Sequence, residues 1–192
     1  MNKQPLKRGF VRIIAGTWRS RRLNVIDQAM VRPTPDRVRE TLFNWLAPCL
    51  PGKRCLDLFA GSGVLGFEAL SRGASHTLMI DQSSAVIEAL KTTAKQLKAE
   101  ELVKIEQANI PQQLQTITQP FDIIFLDPPY QSDLLFPTCQ SLEKHGYLAN
   151  PAYIYLEAGE KISEDQLPEN WQIIKQQKAG QIFYYLLVRR EG

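Results

Sequence analysis

From residue 53 onward, short apolar runs alternate with segments whose apolar residues recur every three or four positions, the spacing of successive βα units. The runs predict strands at Arg54 to Phe59, Thr77 to Asp81, Val103 to Gln107, Phe121 to Leu126 and Tyr153 to Glu157. The segments between them predict helices over Val64 to Arg72, Ser84 to Lys98, Pro111 to Thr116 and Asp133 to His145, each able to cover a sheet face. This alternation specifies a Rossmann-like α/β fold with a doubly wound, mostly parallel sheet. It then breaks off. Trp171 to Gln177 and Gln181 to Arg189 are strand-like runs separated only by Lys178-Ala179-Gly180, so a C-terminal antiparallel hairpin is expected.

Upstream, Val11 to Ala15 and Arg22 to Ile26 read as two short strands around Gly16-Thr17-Trp18-Arg19-Ser20-Arg21. A helix follows over Pro35 to Leu46, with Thr34 as its N-cap, Pro35 at its first position and Val38, Leu42, Trp45 and Leu46 on one face. Pro48 and Pro51 close it. Residues 1–34 are therefore a small N-terminal β-hairpin extension, and residues 35–192 the main domain.

Composition narrows the class. The chain has 192 residues, 44% hydrophobic and 22% charged, which suits one globular domain large enough to stand without a disulfide or metal staple. Cys49, Cys55 and Cys139 lack paired spacing, and with only His76 and His145 beside them no zinc cluster is spelled out. Reduced thiols, a cytoplasmic setting and no metal are expected. No run approaches a membrane span, and no apolar signal core follows the first charged residues. The formal net charge of +3 hides an asymmetry: residues 1–40 hold 10 Lys/Arg against 3 Asp/Glu, while the remainder holds 13 against 17. A basic segment joined to an acidic body attracts polyanions at one end only.

The strand Cys55-Leu56-Asp57-Leu58-Phe59 runs into Ala60-Gly61-Ser62-Gly63-Val64-Leu65-Gly66 and on into a helix, giving Gly-x-Gly-x-x-Gly in a strand-turn-helix setting. Eighteen residues after Gly63 a second strand ends at Asp81. Such a loop lets the backbone approach a ligand, and an acid at that strand end can accept hydrogen bonds from two ribose hydroxyls. The motif alone serves dinucleotides or S-adenosylmethionine. Asp57, four residues before Gly61, would repel a pyrophosphate and suit an ammonium group, or would brace the loop by accepting backbone amides.

The strand Phe121 to Leu126 delivers Asp127-Pro128-Pro129-Tyr130 to the same sheet edge. An exocyclic amine on a nucleobase is a poor nucleophile because its lone pair is delocalised into the ring. The Asp127 carboxylate and the Pro128 carbonyl can each accept one amine hydrogen, favouring a pyramidal nitrogen whose lone pair faces a methyl donor. Pro129 holds Pro128 extended, and Tyr130 offers a face on which an extruded base can stack.

Nearly the whole chain resembles the bacterial 16S ribosomal RNA guanine-N2 methyltransferases of the RsmD type. The matching segments are Arg12 to Gly16, Arg32-Pro33-Thr34-Pro35-Asp36-Arg37-Val38-Arg39-Glu40-Thr41-Leu42-Phe43-Asn44, Asp57 to Gly66, Glu68 to Ala74 and Asp127 to Tyr130. The resemblance implies a methyltransferase fold and methyl transfer from S-adenosylmethionine to a guanine N2 amine of 16S ribosomal RNA, by a monomer working on a small-subunit particle. It assigns Asp57, Gly61 and Gly63 to the methionine part of the cofactor, with Phe59 among the binding residues, Asp81 to the ribose, and Asn109 with Ile110 to the adenine edge. Where the family usually carries Glu, Asp81 stands; many relatives carry Asp in place of Asn109 and Gly in place of Ser20. Trp18, Arg19, Arg21 and Arg22 form the RNA-contacting hairpin on this reading. Arg37 and Arg39 either pair with Asp36 and Glu40 or line the cofactor pocket.

Three other functions compete. A DNA adenine or cytosine amino-methyltransferase would use the same motif but commonly needs a larger target-reading domain. A nicotinamide-dependent oxidoreductase explains the glycine loop and leaves Asp127 to Tyr130 without a role. A silent RNA-binding module would not need the acceptors at Asp127 and Pro128.

Overall fold

The computed structural model describes residues 9–25, 34–114, 119–129 and 133–190. In chain order, a hairpin of β1 (Gly9–Arg12) and β2 (Arg22–Val25) precedes α1 (Asp36–Leu46), β3 (Arg54–Asp57), α2 (Val64–Ser71), β4 (His76–Asp81), α3 (Ser84–Leu97) and β5 (Val103–Gln107). Then come β6 (Phe121–Leu126), α4 (Leu135–Lys144), β7 (Leu148–Ala158), a 3-10 turn at Glu164–Gln166, β8 (Trp171–Ala179) and β9 (Ile182–Arg189). The main sheet has seven strands in the order β5-β4-β3-β6-β7-β9-β8. Its first five strands run parallel, and β9 enters antiparallel between β7 and β8.

Alternation along each strand divides the core into two layers. Cys55, Met79, Ile123, Phe125 and Tyr155 pack on one face with Leu42, Phe43, Phe67 and Leu90 from α1, α2 and α3. Leu56, Ile80, Ile124, Leu126 and Leu156 pack on the other with Cys139, Leu142 and Trp171. The inward residues of the hairpin, Val11, Ile13, Leu23 and Val25, belong to the first layer, so the small sheet rests on the main core.

Several boundaries differ from the sequence pattern. β1 ends at Arg12; Ile13 N still donates to Arg21 O at 3.0 Å, and the amides of Ile14 and Ala15 then turn to the Glu68 carboxylate at 2.7 and 3.0 Å. Ile26 of the expected second strand lies outside the described residues. Pro35, not Thr34, stands at the cap of α1, without a side-chain capping bond, because the Thr34 hydroxyl is engaged elsewhere. β7 starts at Leu148 rather than Tyr153: a register irregularity opposite Phe121 and Ile123 takes up the proline-containing stretch before Tyr153. The last hairpin turns at Gly180-Gln181, since Ala179 already pairs with Ile182. Of the helix expected over Pro111 to Thr116, residues 111–113 form a turn closed by Gln113 N donating to Asn109 O at 2.9 Å, Leu114 is in 3-10 conformation, and residues 115–116 lie outside the described residues. No described helix is long and apolar enough to cross a membrane.

Candidate active site

The strand order reverses between β3 and β6, and the crevice beyond the carboxyl ends of such a pair is where an open α/β sheet places its ligands. Both chemistry-bearing motifs arrive there. β3 runs out at Asp57 into the glycine loop, and β6 runs out at Leu126 into Asp127.

The loop is built from backbone contacts. Gly63 caps α2 with φ of +72°, and a Cβ there would lie 2.5 Å from Leu90 Cδ2 and 2.8 Å from Phe67, so only glycine fits. A Cβ on Gly66 would stand 2.5 Å from Met79 Cε, which is how closely α2 approaches β4. Asp57 is buried beneath the loop, where it accepts Gly66 N at 3.2 Å. The bracing role is therefore real, and an ammonium ligand would share this carboxylate with it. Burial pushes the Asp57 carboxyl up to about 7, the Gly66 amide pulling down and the Asp81 charge pushing further up. Asp81, half-buried at the end of β4, spans the loop from the other side, accepting Gly61 N at 3.0 Å and Ser83 N at 2.9 Å. Phe59 is half-buried against the second core layer, Ile110 is buried in that layer, and Asn109 is exposed just past β5, its amide donating to Gln113 Oε1 at 2.7 Å.

Asp127 follows the pair Leu126–Leu156, which sets it beside Glu157 of β7. Glu157 is buried and accepts the Tyr155 hydroxyl at 2.7 Å and the Thr34 hydroxyl at 2.9 Å, both on Oε1. The same Thr34 hydroxyl lies 3.3 Å from Asp127 Oδ2. Burial first, then the Glu157 and Asp57 charges, push the Asp127 carboxyl well above the usual carboxylate range, and the Thr34 contact opposes them. Pro128 is buried and Pro129 exposed; Tyr130 lies outside the described residues.

Of the two basic residues of α1, Arg37 is exposed, and the partners of Arg39 are plain. It is fully buried, donating to Asp36 Oδ1 at 2.6 Å and to the Arg12 carbonyl at 2.9 Å, with Glu68 Oε2 3.7 Å away. It thus pairs with Asp36, as one reading had it, and also joins the hairpin to α2. Gly16 completes this joint: its φ is +81°, and a Cβ there would fall 1.8 Å from the Ser71 carbonyl oxygen, while Ser71 Oγ donates to Ala15 O at 2.6 Å and accepts Trp18 N at 2.9 Å.

The joint holds the basic hairpin at a fixed angle to the sheet. Arg19, Arg21 and Arg22 are exposed on it, whereas Trp18 is half-buried against the core, leaving less of its ring free than a stacking role asks. Phe10 offers the more open aromatic surface. It is 55% exposed, with the Arg22 guanidinium 4.4 Å over its ring, and it shares a cavity of about 290 Å³ with Arg12, Thr34 and Asp36. A second cavity, of about 350 Å³, lies between Arg21 and Arg22 of the hairpin and Thr93 and Gln96 of α3.

Comparison with known proteins places this arrangement. The family described as Conserved hypothetical protein 95 matches residues 11–188. The chain belongs to that family. Among its relatives, the ribosomal RNA small subunit methyltransferase D of Escherichia coli strain K12 is 44% identical over 181 residues, 94% of this chain and 91% of that protein. The protein of the same name in Haemophilus influenzae is 43% identical over 185 residues, 95% of each. The solved yhhF structure from Escherichia coli superposes with a TM-score of 0.86 at 42% identity, covering 96% of this chain and all of that one. The family's fold, a seven-stranded Rossmann-like methyltransferase sheet ending in an antiparallel hairpin, is the one seen here.

Four residues of the site escaped the sequence reading. Thr34 was hidden by its plausibility as a helix cap, and Phe10 by lying before the expected strand. Glu157 carried a signal, a lone charge closing the apolar run Tyr153-Ile154-Tyr155-Leu156. Glu68 carried none, because a helical acid followed four residues on by Arg72 reads as a surface pair.

Proposed function

We propose that this protein transfers a methyl group from S-adenosylmethionine to the exocyclic N2 amine of a guanine in small-subunit ribosomal RNA. The observation that carries the reading is the placement of Asp127 and Pro128 at the strand-order reversal, one strand from the glycine loop. The names of the relatives support the methyl transfer and the ribosomal substrate.

The residues present fit the cofactor. Asp81 bridges the loop with a half-exposed carboxylate suited to ribose hydroxyls, Asp57 lies beneath the loop for the ammonium, and Asn109 and Ile110 flank the place for an adenine. When bound, the cofactor supplies an electrophilic methyl group on a sulfonium. Asp127 and the Pro128 carbonyl accept the two amine hydrogens and aim the nitrogen lone pair. When the nitrogen is methylated it sheds one proton, which Asp127 is placed to receive. Among the described residues no His, Cys, Asp and Glu group forms a metal cluster.

RNA recognition belongs to the hairpin on this reading. Arg19, Arg21 and Arg22 meet phosphates, and Phe10 supplies open aromatic surface on the Thr34 side. The names of the relatives favour ribosomal RNA over DNA as the substrate. The test is incubation with labelled S-adenosylmethionine and, in parallel, naked 16S ribosomal RNA, small ribosomal subunits and duplex DNA, followed by nucleoside analysis. N2-methylguanosine from either ribosomal substrate is expected; label confined to DNA would overturn the assignment.

A further inference from the structure

The cleft of about 350 Å³ between the hairpin and α3 is lined by Arg21, Arg22, Leu23, Thr93, Gln96 and Leu97, with no acid among the described residues around it. Leu23 and Leu97 are buried and supply its apolar wall. Arg21 and Arg22 are exposed; among the described residues neither pairs with a carboxylate, and the Arg22 guanidinium lies over the Phe10 ring. In register, Arg22 stands directly opposite Arg12, which is exposed on the same outer face. Like charges facing each other across an antiparallel pair weaken it, a cost that a bound polyanion offsets.

Thr93 gives an independent sign. The hydroxyls of Thr41, Thr92 and Thr138 each donate to the carbonyl four residues back, at 3.0, 2.9 and 2.6 Å. Thr93 follows Thr92 on the same helix and is only 4% exposed, yet its hydroxyl has no hydrogen-bond partner among the described residues. A sheltered hydroxyl of this kind is normally bonded, and the cleft that Thr93 lines is where an acceptor can reach it.

We propose that this cleft seats a backbone phosphate of the substrate RNA, held by the Arg21 and Arg22 guanidinium groups and by hydrogen bonds from the Thr93 hydroxyl and the Gln96 side-chain amide. Two guanidinium forks and two neutral donors match anionic oxygens. No ring or acid lines the cleft to stack a base or read its edge, so the contact positions the RNA without reading its sequence. α3 begins just past Asp81, and Thr93 lies nine residues after Ser84, which sets the cleft about 14 Å down the helix from the cofactor edge. The RNA is therefore gripped on the flank of the sheet domain as well as on the hairpin, and nucleotides beside the target fix its approach.

This inference rests on the ribosomal RNA reading, and the test separates the two. Filter binding of naked 16S ribosomal RNA by the full chain is measured between about 50 and 200 mM salt for the wild type, Thr93→Val, Gln96→Lys and Gln96→Glu. Gln176→Lys and Gln176→Glu serve as controls for net charge, because Gln176 is exposed on β8 at the opposite side of the sheet from the strands that α3 covers. Gln96→Lys adds a phosphate contact, so the loss of affinity across that salt range should grow by about 3.5-fold; in Gln96→Glu the new carboxylate occupies the arginines, and the loss should shrink by a similar factor. The Gln176 variants should stay close to wild type. Thr93→Val should bind RNA roughly tenfold more weakly at fixed salt, with a urea midpoint unchanged or raised, since no bond within the protein is removed. Gln96 variants that merely track the Gln176 variants, or a Thr93→Val protein with wild-type RNA affinity, would overturn the cleft as a phosphate site and leave the hairpin as an RNA surface. Wild-type protein without salt-dependent RNA binding would overturn the ribosomal RNA reading, and the cleft with it.

Discussion

Two buried carboxylates tie the N-terminal segment to the sheet domain, and they do so at two different places in the molecule. Glu68 of α2 is fully buried, accepts the Ile14 and Ala15 amides and the Arg72 Nε at 2.7 Å, and has the buried Arg39 guanidinium 3.7 Å away. Its charge is balanced from three directions. Glu157 of β7 is equally buried and accepts the Thr34 and Tyr155 hydroxyls, and the same Thr34 hydroxyl reaches Asp127 at the sheet edge. A balanced buried charge is a fastener: it has nothing left to offer a substrate. The Thr34 hydroxyl shared with Glu157 instead leads to Asp127, which is half-exposed at the sheet edge and can still meet a ligand. The contrast separates the joint from the chemistry although both lie along one stretch of chain, with Thr34 and Arg39 five residues apart.

The first way to break this contrast is Glu68→Ala. Removing one partner of a buried ion pair leaves the guanidinium of Arg39 short of a counter-charge and two backbone amides without acceptors, a loss of about 3–5 kcal/mol of stability. Urea denaturation followed by circular dichroism measures it. Glu157→Gln should lose less in the same experiment, because the amide oxygen still accepts both hydroxyls. Equal losses in the two variants would end the distinction.

Asp127→Ala comes next and should act on rate alone. Losing one preorganised acceptor costs about 3–4 kcal/mol of barrier, a fall of roughly 100-fold to 1000-fold in single-turnover transfer, with calorimetric affinity for S-adenosylmethionine nearly unchanged. A variant retaining more than about a third of wild-type rate would remove Asp127 from the reaction.

These two acids also mark what a sequence can and cannot disclose. Asp127 is legible because its chemistry is local: strand, acid and two prolines are consecutive. The glycine loop and Asp81 are legible for a similar reason, since the spacing from Gly63 to a strand end survives folding. The roles of Thr34, Glu68 and Glu157 are not legible, because each depends on a contact more than fifty residues away, and only Glu157, a lone charge closing an apolar run, stands out locally. The strand pattern predicts the doubly wound sheet but not where β9 inserts, which depends on pairing rather than on periodicity. The resembling segments Arg12 to Gly16 and Glu68 to Ala74 turn out to be two halves of one joint, a relation visible only when Gly16 is seen against Ser71.

If the Glu68 joint exists to hold the hairpin at the catalytic edge, the hairpin surface should bind RNA without contributing to stability. Replacing Arg19, Arg21 and Arg22 together by Ala should leave the urea midpoint close to wild type. The slope of log RNA affinity against log salt should fall by up to about 2–3 units as phosphate contacts are lost. Phe10→Ala should instead lower affinity by about 1 kcal/mol, the low end for base stacking, with little change in slope. A triple variant with unaltered slope would move RNA recognition away from the hairpin.

Asp57 tests the contrast at its midpoint, as an acid unbalanced in the free protein that a ligand could balance. Its carboxyl is raised to about 7, chiefly by burial, so near neutrality it is part protonated. Because this folded value stands above the ordinary carboxylate value, the group contributes more stability when protonated, and that contribution is lost as pH rises through about 7. Binding a cation reverses the preference, since the ammonium of S-adenosylmethionine favours the carboxylate. Cofactor affinity should therefore climb with pH between about 5.5 and 7, approaching tenfold per unit at the acid end, and level off above. The asparagine variant Asp57→Asn can still accept Gly66 N but carries no charge to titrate. It should bind the cofactor more weakly at pH 7.5 and with an affinity nearly flat across the acid range. Calorimetric titration of both proteins at several pH values reads the difference. A wild-type profile as flat as that of the variant would mean that the ammonium is held elsewhere and that Asp57, like Glu68, is only a brace.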